Sequence, residues 1–305
     1  MTLLAFLAMQ PDPEVIRRLF EANLARCEKQ YGAQDARTAQ AARDLGLFLK
    51  KQGDLASARE ALTRAVRADE QAEGATAPQT LGDAAELATV SSPEQARPLW
   101  ERVAASANPS LSSRALAALG DLRASAQDPA GAAKLFRQAL AKEEQASGKD
   151  AAPVAVRLNS LAVLVDPKEG IPMLERALAI DRRLLGPRHP ETSTTEANLA
   201  GLLLNTGHVD AALRVANTAL AGFEETLGPD HPRVAAVSMI LASCWQAKGN
   251  RLRAERLYRR ALAVDEKALG PEHPETLNDV KNLAEFLREG GRAKEAAELE
   301  KRLTR

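Results

Sequence analysis

At 305 residues the chain is long enough for two ordinary domains, yet its 41 basic and 41 acidic side chains cancel, so no net field draws it to nucleic acid or to an anionic membrane. Aromatic residues make up 3%, too few for the base-stacking platforms of single-strand binders. No run approaches the roughly 20 apolar residues that span a bilayer, and Cys27 and Cys244 stand too far apart in the repeat register below to form a disulfide within the chain.

Residues 1–9 (MTLLAFLAM) are apolar, with no Lys or Arg before them and no small-x-small cleavage site after them. Residues 1–11 are therefore expected to be an N-terminal extension, with a weak signal-like segment for export as the alternative, and a cytoplasmic location is favoured. Asp12 is a good N-cap with Pro13 at the first helical position, and Val15, Leu19, Phe20 and Leu24 then recur at helical spacing up to Tyr31 and Gly32. This lone helix over 12–31 matches the second half of a later repeat and is expected to cap the N-terminal end.

From Gly32 onward the chain divides into seven stretches: 32–73, 74–105, 106–147, 148–185, 186–227, 228–269 and 270–305. Each is predicted to be a helix, a turn and a second helix. Three of them open on Gly186-Pro187-Arg188-His189-Pro190, Gly228-Pro229-Asp230-His231-Pro232 and Gly270-Pro271-Glu272-His273-Pro274, which recur every 42 residues. Gly can take the left-handed cap after a helix, the first Pro cannot continue that helix, and the second Pro suits the first turn of the next. A fixed period of this size is the signature of a solenoid, here expected to be one elongated array. In the middle stretches Ser92-Pro93, Asp128-Pro129 and Asp166-Pro167 are helix starts of the same logic. Pro98 and Pro172, five residues further on, are expected to kink their helices or leave irregular first turns.

Stacked by register, a first-helix column reads Leu45, Leu87, Leu119, Leu161, Leu199, Leu241, Leu283, and the next position reads Gly46, Ala88, Gly120, Ala162, Ala200, Ala242, Ala284. A second-helix column of Ala58, Ala96, Ala132, Gly170, Ala212, Ala254 and Ala296 is followed four residues on by Leu62, Trp100, Phe136, Leu174, Ala216, Tyr258 and Glu300. Large residues beside small ones in every stretch are packing positions, so Trp100, Phe136 and Tyr258 read as core. Glu300 and Thr304 depart from the apolar columns and give the last helix a polar outer face.

The runs Asn198-Leu199-Ala200, Asn282-Leu283-Ala284 and Tyr258-Arg259-Arg260-Ala261-Leu262, with the Gly-Pro-x-His-Pro loops, resemble the tetratricopeptide repeat family in the 42-residue form of kinesin light chains. The likeness is strong from Gly186 onward, recognisable over 32–73 and degenerate between. It implies an all-α, right-handed α-α superhelical solenoid of helix-turn-helix repeats, in which the first helix of each unit lines a concave groove that binds a partner protein or peptide. It implies no catalysis.

No catalytic constellation, cofactor or metal is expected from the residues either. His189, His231 and His273 share one loop slot of successive units, and neighbouring helices lie about 8–10 Å apart, so their ring nitrogens cannot meet at the roughly 2.1 Å of a metal bond. Capping is the expected role. Glycines sit at turns and helix ends rather than in a phosphate loop, and neither cysteine has a neighbouring base.

The groove face follows from the helical period. On the last first helix Val280, Leu283, Ala284 and Leu287 form the packed face, and Asn278, Asn282, Glu285 and Glu289 point the other way. The equivalents are Thr194, Asn198, Gly201 and Asn205, then Ala236, Ile240, Ser243 and Ala247. The candidate groove residues are thus Arg43, Lys50, Asn159, Thr194, Asn198, Asn205, Ile240, Asn278, Lys281, Asn282, Glu285 and Arg288, with Arg43, Lys50, Lys281 and Arg288 at the edges. Asn side chains can bond both N–H and C=O of an extended backbone, which suits capture of a peptide. The alternatives are a peptide-sensing regulatory module, a structural spacer, or a homodimer joined through this face.

Overall fold

The computed structural model describes residues 12–303; the apolar opening segment, Thr304 and Arg305, with the expectations attached to them, lie outside the described residues. Among those described, every regular element is a helix: α1 (Pro13–Tyr31), α2 (Ala36–Lys51), α3 (Leu55–Ala72), α4 (Pro78–Thr89), α5 (Pro93–Ala104), α6 (Pro109–Ser125), α7 (Pro129–Ser147), α8 (Ala152–Ala162), α9 (Pro167–Leu184), α10 (Pro190–Asn205), α11 (Val209–Leu227), α12 (Pro232–Ala247), α13 (Arg251–Ala268), α14 (Pro274–Glu289) and α15 (Ala293–Glu300). The chain divides into two compact units, Met1–Gly148 and Lys149–Arg305. In a stack each pair is held by its neighbours alone, so no single core runs the length of the chain.

Within each unit every helix packs on the one before it and the one after it. Two further contacts skip the intervening second helix: α4 touches α6, and α10 touches α12. First helices of successive pairs thus come together and share a face. In the first unit one cluster reaches from Leu24 and Leu45 through Leu62 and Trp100 to Ala115, and Ala132, Phe136 and Ala139 are buried beyond it. In the second unit the clusters are local, one around Leu174 and Leu199, one around Phe223 and Leu241, one around Tyr258, Leu283 and Leu287.

The paired large and small columns make this packing. Leu161, Leu174 and Leu283 are sealed from solvent, and each such side chain stabilises by about 1.5–3 kcal/mol relative to exposure. The small partners let the backbones approach. A Cβ added at Gly46 would lie 2.6 Å from Leu62 Cγ, and one at Gly170 would lie 2.4 Å from the Ala162 carbonyl oxygen. Both distances are below van der Waals contact, so at these two positions the helix pair closes only over glycine.

The loops are closed by side chains from both directions. Gly270 has φ of 94°, which turns the chain out of α13. His273 then accepts from the Glu275 amide at Nδ1 (3.2 Å), and the Thr276 hydroxyl reaches back to the Gly270 carbonyl (2.8 Å). His189 and His231 cap α10 and α12 in the same way, at 3.1 Å each. Thr38, Thr80 and Thr192 repeat the backward bond to Gly32, Gly74 and Gly186. α5 and α9 run unbroken through Pro98 and Pro172. The irregular first turns expected there are absent, because each Pro sits within the first two turns and forfeits only one bond, to the Glu94 or Lys168 carbonyl.

Candidate interaction face

On the first unit the exposed face of α2, α4 and α6 is bound up in ion pairs. Lys50 Nζ donates to Glu86 Oε2 (2.9 Å) and to Thr89 Oγ1 (2.7 Å), and Arg114 donates to Glu86 Oε1 (2.8 Å) from the other side. Burial alone would raise the Glu86 carboxyl; the bonds from Lys50 and Arg114 more than offset it and hold it below the usual range. Arg43 is not the edge group its sequence position had implied. It is buried, and its Nη2 lies 2.9 Å from both Asp69 Oδ2 and Asp83 Oδ2, with Gln40 accepting at Nη1. Two carboxylates arriving from α3 and α4 draw the guanidinium inward. Burial and the neighbouring Asp83 push Asp69 up to about 6 even so.

On the second unit the face is polar but contains few ions. Asn159 donates to Thr195 Oγ1 (2.6 Å) and accepts from Asn198 (3.2 Å), while Thr195 donates to Asp181 (2.6 Å). Arg233 reaches Thr194 Oγ1 at 2.5 Å. The Asn159 and Asn198 amides therefore hold one another across α8 and α10, and Asn159 Nδ2 also lies 3.4 Å from the Ala155 carbonyl oxygen. Ile240 is half-buried in the α11–α12 cluster. Asn205, Asn278 and Lys281 are exposed, and Arg288 is paired with Glu300 on α15.

Asn282 and Glu285 belong to a cleft formed by α12, α13 and α14. Ser243, Gln246, Ala247, Tyr258, Phe286 and Glu289 complete its lining, and its volume is about 380 Å3. The Tyr258 hydroxyl donates to Gln246 Oε1 (2.7 Å) and lies 3.0 Å from Ser243 Oγ, and Gln246 Nε2 donates to Glu289 Oε2 (2.7 Å). The Tyr258 and Phe286 rings lie 5.2 Å apart between centroids. Burial raises the Tyr258 phenol above its ordinary range, so it stays a neutral donor. Glu86 and Arg114 on the first unit, and Gln246, Tyr258 and Glu289 here, were absent from the candidate set. Ser243 and Glu289 are on the outward face that the helical period marks, though neither is among the twelve candidates.

The twelve candidates thus occupy separate places. Arg43 and Lys50 lie in the first unit, Asn159, Thr194 and Asn198 cluster on α8 and α10, and Asn282 and Glu285 line the α12–α14 cleft. Among the described residues no group of three or more His, Cys, Asp or Glu side chains could hold a metal ion, and no helix is long and apolar enough to cross a membrane. Cys27 and Cys244 are both buried free thiols.

Stacked helix pairs with these packing columns define an α-solenoid. Models of the tetratricopeptide repeat match residues 5–71, 159–225 and 233–305, and a second tetratricopeptide repeat model matches 84–151. The chain belongs to the tetratricopeptide repeat family, and its repeats make a protein-interaction scaffold. It is similar in fold to the apo form of RapI (12% identity, 86% of this chain and 94% of that one, TM-score 0.69). It is also similar to a Rap protein complexed with Competence and Sporulation Factor (16% identity, 94% and 75%, TM-score 0.61). Kinesin light chain TPR-like repeats from Podosopora anserina align at 25% identity over 65% of this chain and 95% of theirs, with a TM-score of 0.52. No curated protein sequence matches the chain.

Proposed function

We propose that the chain binds a partner protein or peptide in extended form along the outward face of α10, α12 and α14. The contrast between the two units carries this reading. The face of α2, α4 and α6 is closed by its own Lys50, Glu86 and Arg114 ion pairs, whereas α10, α12 and α14 present amides, hydroxyls and small residues that no opposite charge closes. Half-buried amides at Asn198 and Asn282 can serve backbone N–H and C=O alike, which fixes a strand without demanding one sequence. The similar Rap fold complexed with a factor is an instance of such a scaffold holding a ligand.

The test is selection of a displayed random peptide library on the full chain and on the Asn198→Ala, Asn282→Ala double variant, with helix content followed by circular dichroism. Peptides enriched by the wild type and released by the variant at unchanged helicity are the expected result. Equal retention by both proteins would remove the groove from the explanation.

A further inference from the structure

We propose that the apolar face which α1 leaves uncovered is a docking surface for the chain's own residues 3–9, which stand to α1 as α2 stands to α3. The register comes from the repeat. Moving the stretch from Leu3 to Asp12 forward by the 42-residue period sets Leu3, Phe6, Leu7, Gln10 and Asp12 on Leu45, Phe48, Leu49, Gln52 and Asp54, each an identical residue. With only six Phe in the chain, the coincidence of Phe6 with Phe48 does not follow from composition. The link to the next helix has the same length, Gln10 and Pro11 against Gln52 and Gly53, and the closing Gly32 falls on Gly74. Asp12 and Asp54 share one task as well: Asp12 accepts from the Glu14 amide (2.9 Å) where α1 starts, and Asp54 accepts from the Ser57 amide (3.1 Å) where α3 starts. The tetratricopeptide repeat model that covers this end begins its match at residue 5, ahead of α1.

α1 carries the face that such a guest needs. In the following pair Leu45 and Leu49 of α2 share one cleft with Ser57 and Ala61 of α3, and Gly46 lies against Leu62 and the Ala58 carbonyl. The same four places on α1 hold Val15, Leu19, Ile16 and Phe20. Every one is larger than its counterpart on α3, and every one is less covered. Val15 is 49% and Leu19 65% exposed, whereas Ala61 is 4%. Ile16 and Phe20 are half-buried, whereas Ala58 and Leu62 are sealed. Large apolar side chains in these places gain most from a partner that takes them out of water.

The period of the segment matches that face. Leu3 and Leu7, one turn apart in helical register, take the places of Leu45 and Leu49 and come to Val15 and Leu19. Leu4 comes to Ile16 and Phe20; it stands where α2 has Gly46, so the segment rides higher on Phe20 than α2 does on Leu62. Ala5 and Met9 take the places of Leu47, 38% exposed, and Lys51, also exposed, and point away.

The experiment uses the full chain and two double variants of equal charge and spacing: Leu3→Asp, Leu7→Asp on the docking side, and Ala5→Asp, Met9→Asp on the outer side. Amide hydrogen exchange of α1 and sedimentation are measured on all three. The docking-side variant should speed exchange in α1 about tenfold and the outer-side variant by less than about twofold, with all three proteins sedimenting alike. An equal response to both variants, or no response to either, overturns the proposal. A wild-type dimer that the docking-side variant splits gives the face to a second copy and overturns it too, as does recovery of the protein from its source cell without residues 1–9.

Discussion

Replacing Asp279 with Asn should abolish much of the pH dependence of the α13–α14 joint. Asp279 on α14 and Asp265 in the last turn of α13 are each 4% exposed, and Asp279 Oδ2 and Asp265 Oδ1 have no hydrogen-bond partner. Burial, then the charge of Asp265, and then Glu275 push the Asp279 carboxyl from its usual 3.8 up to about 7. Burial raises Asp265 as well. The matching slots elsewhere are relieved, by Arg43 between Asp69 and Asp83 and by Thr195 on Asp181; here two acids meet without a cation. The folded state holds this proton more tightly than the unfolded chain. Its contribution is therefore complete below the unfolded value near 4 and is lost as pH rises toward 7. Three units at about 1.36 kcal/mol each set a ceiling of about 4 kcal/mol, and relaxation and water entry at a helix joint reduce this to about 2. Asp279→Asn should match the wild type near pH 4 and exceed it by about 2 kcal/mol at pH 8. Amide hydrogen exchange of α13 and α14 is the suitable assay, because repeat stacks open locally. An identical pH response in the two proteins, or a variant less stable at pH 8, would refute the shared-proton account.

Arg43→Met should strip the cation from Asp69 and Asp83 and destabilise the first unit by about 3–5 kcal/mol, read as a lowered denaturation midpoint and raised exchange in α2–α4. Restoring Asn at both acids should recover part of that loss. Glycine substitutions should separate by position. At Gly120 a Cβ would lie 3.0 Å from the Phe136 ring, and Gly120→Leu should cost about 1–3 kcal/mol by overpacking. Gly201 has nothing within 4 Å of the same position, so Gly201→Ala should raise the melting temperature through about 0.5–1 kcal/mol of helix propensity.

The period, the helix pairs and the packing columns were legible because each is carried by residues that repeat in register. Gly46 against Leu62 is a contact between two such columns, and the His273 cap follows from its slot before Pro274. Arg43 was not legible. Its outward register is overridden by Asp69 and Asp83, whose approach depends on how two other helices are placed. The α12–α14 cleft was half legible. Asn282 and Glu285 lie on the face that the helical period marks, but Gln246 lies on its flank. Tyr258 was counted as core because its ring is core, and only the hydroxyl emerges. A site shared by three helices leaves no spacing in any one of them.

The loop clasp of His273 and Thr276 has a consequence for how such a chain changes over time. Both bonds close within the stretch that opens the helix pair, so the connection needs nothing from residues outside it. A duplicated copy would bring its own hinge ready-made, and an excised one would leave the flanking hinges whole. Array length can then drift by whole pairs while the joints between them, where Asp265 meets Asp279 or Arg43 meets Asp83, diverge one at a time.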